Sequence, residues 1–290
     1  MTAGLWIVPE DAKGKYRPAH PEARLLIKPV AVKSVLTKSK IEGIDYTVNP
    51  YYGCQHGCRY CYSAWMTGKR FPGLSWGEYV FPKVNAPQVI ARELDRVNLG
   101  LVEIGSSTDP YQPVESTFRL TRRCLEVLVR RRDFSVSVLT KSPLVLRDID
   151  LLKAGDVEVG FSISGLGGPI LKALEPRAPS PHLRLKALRK LVREGVRTFA
   201  FVSPILPGVT DVQAQELFRE LSEVKPDRVL VDRLRFRPGV WSMIRRALSN
   251  FPEALRLYSD LRKNDQWFDY VKMLLSSEAG KWGIELEFVY

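Results

Sequence analysis

The sequence predicts an α/β fold built as a partial (β/α)6 TIM-type barrel, with an N-terminal arm and a helical C-terminal extension. From residue 43 onward, short β-branched or apolar runs alternate with segments of helical spacing. This alternation is typical of a parallel sheet with right-handed crossovers. The chain has 290 residues, of which 45% are hydrophobic, so it is long enough to bury a large barrel core.

Six strands and five helices alternate along the barrel region. The predicted strands are Asp45–Asn49, Leu101–Gly105, Phe134–Thr140, Val157–Ser162, Thr198–Ser203 and Arg228–Asp232. The predicted helices are Ala86–Val97, Thr121–Arg131, Leu144–Lys153, Pro181–Glu194 and Val212–Val224. In the fourth helix, Leu185, Leu188 and Leu191 form an apolar stripe against a basic face. Active-site residues are expected where these strands end and the loops begin.

Three segments of different composition divide the chain. Residues 1–40 are rich in Pro, Lys and Arg without a sustained period, so we expect an arm that packs on the barrel. Residues 41–235 are expected to form the barrel core. Residues 236–290 are helical and aromatic and end in a strand over Gly283–Val289. A Phe-Pro pair at 251–252 interrupts the helical pattern, so this extension holds at least two helices, with its aromatic side chains in the core.

The composition predicts a cytoplasmic protein with an anionic partner. Charged residues, Gly or Pro break every apolar stretch before it reaches the length of a membrane span, so no membrane contact is expected. The N-terminus lacks the apolar run of a signal peptide. The net charge of +12 favours nucleic acid as the partner. The alternative is a solvated basic surface with no such role.

Three of the four cysteines lie close together, which predicts a metal site. Cys54, Cys58 and Cys61 follow the first predicted strand with the spacing Cys-x3-Cys-x2-Cys. Gly53 and Gly57 allow the tight backbone that brings thiolates together. Three thiolates bind three irons of a four-iron cluster and leave the fourth iron open to a non-protein ligand. A zinc site remains the alternative, although no second ligand pair follows.

Polar residues at successive strand ends are candidates for binding a small molecule. A turn of Ser and Asp residues follows the second strand, a lysine follows the third, small hydroxyls follow the fourth and fifth, and arginines precede or open the fourth helix. Each is also an ordinary loop residue in isolation. The candidates are Ser106, Ser107, Thr108, Asp109, Lys141, Ser162, Ser164, Arg177, Arg184 and Ser203.

The cysteine segment resembles the signature loop of the radical S-adenosylmethionine (SAM) superfamily, including the aromatic Tyr60 before the third cysteine. The resemblance implies a barrel of the radical SAM kind. It also implies a four-iron, four-sulfur (4Fe–4S) cluster that cleaves SAM reductively to a 5′-deoxyadenosyl radical. Tyr60 would then lie against the adenine, and Arg177, or more weakly Arg184, would bind the methionyl carboxylate. An electron donor such as flavodoxin or ferredoxin is implied as a partner.

Further segments resemble the branch of DNA repair photolyases that includes spore photoproduct lyases. They are the Asn-Pro-Tyr entry to the loop, Cys-Arg-Tyr-Cys-Tyr, Ser-Thr-Asp-Pro, Thr-Lys and Pro-Arg-Ala-Pro-Ser. The resemblance implies a lyase-like reaction on nucleic acid in which Tyr60 and Tyr62 take part in hydrogen return. The hydrogen-donating cysteine of that branch is missing, because Ser106 or its neighbours stand there and Cys124 lies on the next helix.

The predicted function is therefore radical SAM catalysis on nucleic acid, with the oligomeric state left open. The first alternative is modification of tRNA, a peptide or a small metabolite by the same radical. The second is a non-catalytic iron–sulfur or zinc protein that binds nucleic acid.

Overall fold

The structure is a computed structural model that describes residues 25–290, so most of the predicted arm lies outside the described residues. The strands are β1 (Leu26–Ile27), β2 (Leu36–Lys38), β3 (Tyr46–Val48), β4 (Tyr51–Tyr52), β5 (Tyr79–Pro82), β6 (Gly100–Ile104), β7 (Phe134–Thr140), β8 (Val157–Ser162), β9 (Arg197–Ile205), β10 (Arg228–Arg233) and β11 (Leu286–Phe288). The helices are α1 (Ser63–Arg70), α2 (Ala86–Leu94), α3 (Glu115–Phe118), α4 (Leu120–Leu128), α5 (Ile149–Leu152), α6 (Pro169–Leu174), α7 (Pro181–Arg193), α8 (Ala214–Val224), α9 (Val240–Ala247), α10 (Pro252–Leu261) and α11 (Gln266–Gly280).

The main sheet has eight strands in the order β11-β10-β9-β8-β7-β6-β3-β2. All neighbouring pairs are parallel except β2 with β3. Its centre consists of the six predicted strands in their predicted order, which confirms the α/β barrel-type fold. Within residues 25–290, the edge strands β2 and β11 do not pair with each other, so the barrel is partial.

The two faces of the sheet differ in polarity. Val102, Val138 and Val159 are fully buried on the side that packs against the helices, together with Leu125 and Leu188. Because side chains alternate along a strand, the neighbouring positions point to the opposite face. We call this face the lumen. Register pairs there align a polar row across four strands: Thr47, Glu103, Ser137 and Glu158.

A second, three-stranded sheet of order β1-β5-β4 lies beside the entry to the cysteine segment. Strand β1, from the described part of the predicted arm, runs parallel to β5, and β4 runs antiparallel to it. The sequence did not predict this sheet. The helix predicted over Leu144–Lys153 also differs, because it begins as a 3₁₀ helix over Pro143–Asp148 and becomes α-helical only in α5.

The C-terminal extension packs on the barrel with three helices and β11. Tyr258 and Phe268 are buried in the main core, as expected for barrel-closing aromatics. Tyr270 is 57% exposed and takes no part in that packing. No helix among the described residues combines the length and the apolar character needed to cross a bilayer.

Candidate metal and cofactor site

The cysteine segment folds back on itself directly after β4. The amide of Gly57 donates to the carbonyl of Cys54 (3.3 Å), and that of Cys61 donates to Cys58 (3.2 Å). Gly53 and Gly57 have φ angles of 77° and 60°, a region that only glycine enters readily. A Cβ atom on Gly53 would lie 2.3 Å from the Tyr79 carbonyl oxygen. The loop therefore requires the glycine that flanks its first cysteine.

The three thiols share one buried environment. Cys54 and Cys58 are buried and Cys61 is half-buried, and all three are free thiols. Burial, followed by the charge of Asp109, raises the pKa of Cys54 to about 12. Burial also raises the pKa of Cys58 and of Cys61, and each of Cys54 and Cys58 has its pKa raised further by neighbouring thiols of the trio. Such thiols stay protonated near neutral pH unless a metal binds the thiolate and stabilises it.

This donor set fits a 4Fe–4S cluster. Thiolates are the normal ligands of iron–sulfur clusters, and three of them leave one iron for a non-protein ligand. Cys124, the fourth cysteine, is fully buried on α4 among helix-side apolar residues. Among the described residues, no three or more Cys, His, Asp or Glu side chains surround a common point as a single ion would require.

The turn after β6 holds the cysteine loop in place. The hydroxyl of Thr108 donates to the carbonyl of Gly53 (2.5 Å), and Gln112 Nε2 donates to the same oxygen (3.3 Å). The amide of Gln55 donates to Gln112 Oε1 at 2.9 Å. Thr108 was a candidate for cofactor binding, but its hydroxyl donates its hydrogen to the cysteine loop. Gln112 was not predicted, because its partners in the cysteine loop lie more than fifty residues away.

Asp109 connects the loop to the end of β7. Its Oδ2 lies 3.3 Å from His56 Nδ1 and accepts from the amide of Lys141 at 2.7 Å. Its Oδ1 accepts from the hydroxyl of Thr140 at 2.7 Å. Burial alone would raise the pKa of Asp109, but His56 and these hydrogen bonds lower it to about 2. The carboxylate is thus ionised, and it positions residues around the site.

Ser106 and Ser107 are tied to the start of the loop through Asn49. The Nδ2 of Asn49 donates to Ser106 Oγ (3.0 Å), and the amide of Ser107 donates to Asn49 Oδ1 (2.8 Å). The phenol of Tyr62, which is 40% exposed, donates to the Ser106 carbonyl. Ser107 keeps its hydroxyl without a hydrogen bond inside the described chain.

Glu175 is the hub of the opposite wall. This buried carboxylate accepts hydrogen bonds from the phenol of Tyr60 and from the guanidinium of Arg184. Lys141 Nζ lies 3.9 Å from Glu175 Oε1 and donates to Ser162 Oγ at 2.6 Å. Burial would raise the pKa of Glu175, but Arg184 and Lys141 lower it. Glu175 was not among the predicted site residues, because in the sequence it stands only as part of a Glu-Pro pair before a helix.

Arg184 is fully engaged inside the protein. It is 1% exposed and, besides Glu175, it donates to the carbonyls of Ser162 (3.0 Å) and Pro179 (2.8 Å). The hydroxyls of Ser162 and Ser164 both donate to the carbonyl of Ser203, at 2.8 and 2.9 Å. The structure therefore brings these predicted residues together at the ends of β8 and β9.

Arg177 lies apart from that cluster, against the cysteine loop. A Cβ atom on Gly57 would lie 2.6 Å from its Nη2, and one on Gly77 would lie 2.1 Å from it. Burial, then the charge of Arg59, lowers the pKa of Arg177, whereas the thiols of the loop raise it. Arg177 thus places a positive charge beside Cys54 and Cys58, in a slot that two glycines leave open.

Comparisons with known proteins agree with this site. The sequence profile of the Radical SAM superfamily matches residues 48–221. An uncharacterized protein of Methanocaldococcus jannaschii is 38% identical over 192 residues, covering 66% of this chain and 72% of the relative. A protein of Pseudomonas phage M6 named radical SAM Nα-GlyT isomerase is 28% identical over 227 residues, covering 75% of this chain and 45% of that protein.

Among solved structures, a variant of spore photoproduct lyase with bound AdoMet and dinucleoside spore photoproduct superposes with a TM-score of 0.69. The two chains are 18% identical, and the match covers 92% of this chain and 82% of that one. The fold is therefore the one seen in that lyase. Fold, thiol set and superfamily match lead to one conclusion: the chain belongs to the Radical SAM superfamily and is an enzyme that uses a 4Fe–4S cluster and SAM.

Proposed function

We propose that this enzyme acts on nucleic acid by a reaction related to that of spore photoproduct lyases. The observation that carries the proposal is the charge of the loops at the carboxyl edge of the sheet, where the cysteine loop lies. Exposed or half-exposed cations on these loops and on α1 are Arg59, Lys69, Arg70, Arg177, Arg235 and Arg237. Such cations contact phosphates in nucleic-acid complexes.

Two arginines on or just after the basic helix α4 are already paired within the protein. Arg122 pairs with Asp148 and Asp150, at 3.0 and 2.7 Å, and Arg131 pairs with Asp95 and Asp133 at 2.9 and 3.0 Å. Their charges are neutralised within the protein. The mouth cations other than Arg235, which pairs with Asp232 at 3.0 Å, form no ion pair within the described residues, and this supports an anionic substrate there.

When bound, the cluster and SAM supply a 5′-deoxyadenosyl radical. The chain's own residues would hold the cofactor. We assign Lys141 to the methionyl carboxylate, because its ammonium lies in the site, where it lowers the pKa of both Cys58 and Cys61. Arg177 keeps a role in charge compensation beside the loop. We expect an external electron donor, such as flavodoxin or ferredoxin, to reduce the cluster.

Lys141→Met is expected to lower the affinity for SAM by about 10- to 100-fold, the value of a hydrogen bond to a charged group. Equilibrium dialysis of the anaerobically reconstituted protein with labelled SAM measures this. Lys83→Met is the matched control, because Lys83 is similarly buried but its ammonium lies 4.0 Å from the centre of the Tyr52 ring. Unchanged SAM affinity in Lys141→Met would remove the assignment.

Removing cations from the mouth should weaken nucleic-acid binding and its dependence on salt. For a variant that combines Lys69→Gln and Arg237→Gln, the slope of log affinity against log salt should fall by about 1 for each lost phosphate contact. Arg132→Gln, an exposed arginine at the amino end of β7, is the control and should leave the slope unchanged. If the affinity of the wild-type protein for nucleic acid does not change with salt concentration, this would count against a nucleic-acid substrate.

The reaction itself is tested by following hydrogen. Deuterium-labelled DNA, tRNA, peptides and small metabolites are each incubated with the reduced enzyme and SAM, and 5′-deoxyadenosine is analysed for deuterium. Transfer from DNA supports the proposal, and transfer from tRNA would replace it with the alternative of tRNA modification. Transfer from a peptide or metabolite instead would replace it with the corresponding alternative.

A further inference from the structure

The lumen contains a buried acid that lacks a partner in the part of the chain that the structure describes. Glu103 lies on β6, two residues before the turn that holds the cysteine loop, and it is only 7% exposed. Within residues 25–290, its Oε2 makes no hydrogen bond. Buried carboxylates are ordinarily paired or hydrogen-bonded, because desolvation without compensation is costly. An unpaired carboxyl on the lumen face of the sheet therefore indicates a ligand that supplies the missing contact.

The neighbours of Glu103 do not supply it. Thr47 and Ser137 flank it in the polar row, and Glu158 stands two strands away. Glu158 has Arg228 Nη1 at 3.7 Å. Among residues 25–290, Glu103 has no cation of this kind. Burial, followed by the charge of Glu158, raises the pKa of Glu103 to about 7. Near neutral pH, the carboxyl group is therefore present in both its protonated and its ionised form, and both can form hydrogen bonds.

Glu103 also lies close to the cysteine loop. Both Glu103 and Asp232 act electrostatically on the phenol of Tyr62, the residue directly after Cys61. On the same face, the Phe199 ring covers Gly160 so closely that a Cβ there would lie 2.1 Å from it. The lumen below the cysteine loop thus offers an aromatic wall and one unsatisfied oxygen. A planar, nitrogen-rich ring has the chemistry to use both.

We propose that Glu103 reads the substrate in the lumen by accepting a hydrogen bond from an N–H group of a nucleobase. This inference rests on the proposed action on nucleic acid and adds the atom that selects the base. Carboxylates accept hydrogen bonds from base amino groups in protein–DNA complexes. The contact would satisfy Oε2 and place the base beneath the cysteine loop.

Short single-stranded homopolymers of each base, as DNA and as RNA, are the probes. Their affinity for the reconstituted, SAM-loaded protein is measured with and without methylation of the base nitrogens that removes every base N–H donor. For the preferred base, methylation should lower wild-type affinity by about 10-fold or more. Glu103→Met keeps the side-chain length but removes the acceptor. Its affinity for the unmodified probe should be about 10-fold or more below that of the wild type, and it should bind the methylated and unmodified probes equally well. Glu103→Gln, which keeps an acceptor oxygen, should recover part of the lost affinity.

Glu158→Gln is the matched control, because this acid shares the row but already has a cation nearby; it should discriminate like the wild type. Glu103→Met should unfold at the same or a higher temperature than the wild type, since an unpaired buried carboxyl is lost. If Glu103→Met still discriminates against methylation, or if the wild type binds the probes without discriminating, the inference is overturned and the nucleic-acid function stands. If the wild type binds none of the probes, both are overturned.

Discussion

Cys58→Ala is expected to abolish both the iron–sulfur cluster and the cleavage of SAM. A cluster with an open iron needs three protein thiolates, and Cys54 and Cys61 alone leave two irons without protein ligands. The remaining thiol of the sequence, Cys124, does not replace the lost one, because it is buried on α4 on the helix side of the sheet. Iron content and visible absorbance after anaerobic reconstitution measure the cluster, and formation of 5′-deoxyadenosine measures cleavage.

Cys124→Ala is the matched control for this experiment. It removes an equally buried thiol that is not part of the cysteine loop, so iron content and SAM cleavage should equal those of the wild type. Loss of a small buried group should cost about 1 kcal/mol of stability. Iron retained in Cys58→Ala together with SAM cleavage would contradict the ligand assignment. Loss of iron in Cys124→Ala would show that the fourth cysteine contributes to the cluster.

The strands of the barrel were predictable because each has a simple local pattern. Strands β7 and β8 have the predicted bounds to the residue, since Ser and Val alternate in β7 between the lumen and the helix side. The two-residue strands β1 and β4 were missed. Two residues carry no period, and these strands exist only because both pair with β5, more than twenty-five residues along the chain from each.

The site was predictable in the same local sense. The three thiols lie within eight residues, so their spacing alone indicates convergence. The roles of Thr108 and Asp109 depend on contacts with Gly53 and His56, more than fifty residues earlier, and no spacing rule reports such contacts. Barrel topology places the ends of parallel strands at one edge, which is why residues at several strand ends were predicted to share a site. Which of them face a ligand and which brace their neighbours is decided by pairings across the fold.

The buried ion pair of Glu175 should have a large effect on the free energy of unfolding. Its carboxylate meets Arg184 and Tyr60 in a site where Glu175 and Arg184 are 3% and 1% exposed. Removal of one member of a buried ion pair leaves the other charge desolvated, at a cost of about 3–5 kcal/mol. Glu175→Met should therefore be strongly destabilising in urea unfolding. Arg184→Met should cost less, because Tyr60 and Lys141 still serve the remaining carboxylate. The double variant should be less destabilised than the sum of the single variants.

Measurements of SAM affinity should distinguish the role of Glu175 from that of Arg184. Glu175→Met and the double variant remove the group that orients Tyr60 and Lys141, so both should bind SAM more weakly than the wild type. Arg184→Met leaves that group in place and should keep the affinity while losing stability. If Arg184→Met instead loses SAM binding with its fold intact, Arg184 contacts the cofactor itself, as the sequence analysis proposed. We expect Arg184→Met to keep its SAM affinity, because Arg184 is 1% exposed and each of its three side-chain nitrogens already donates to an acceptor inside the protein.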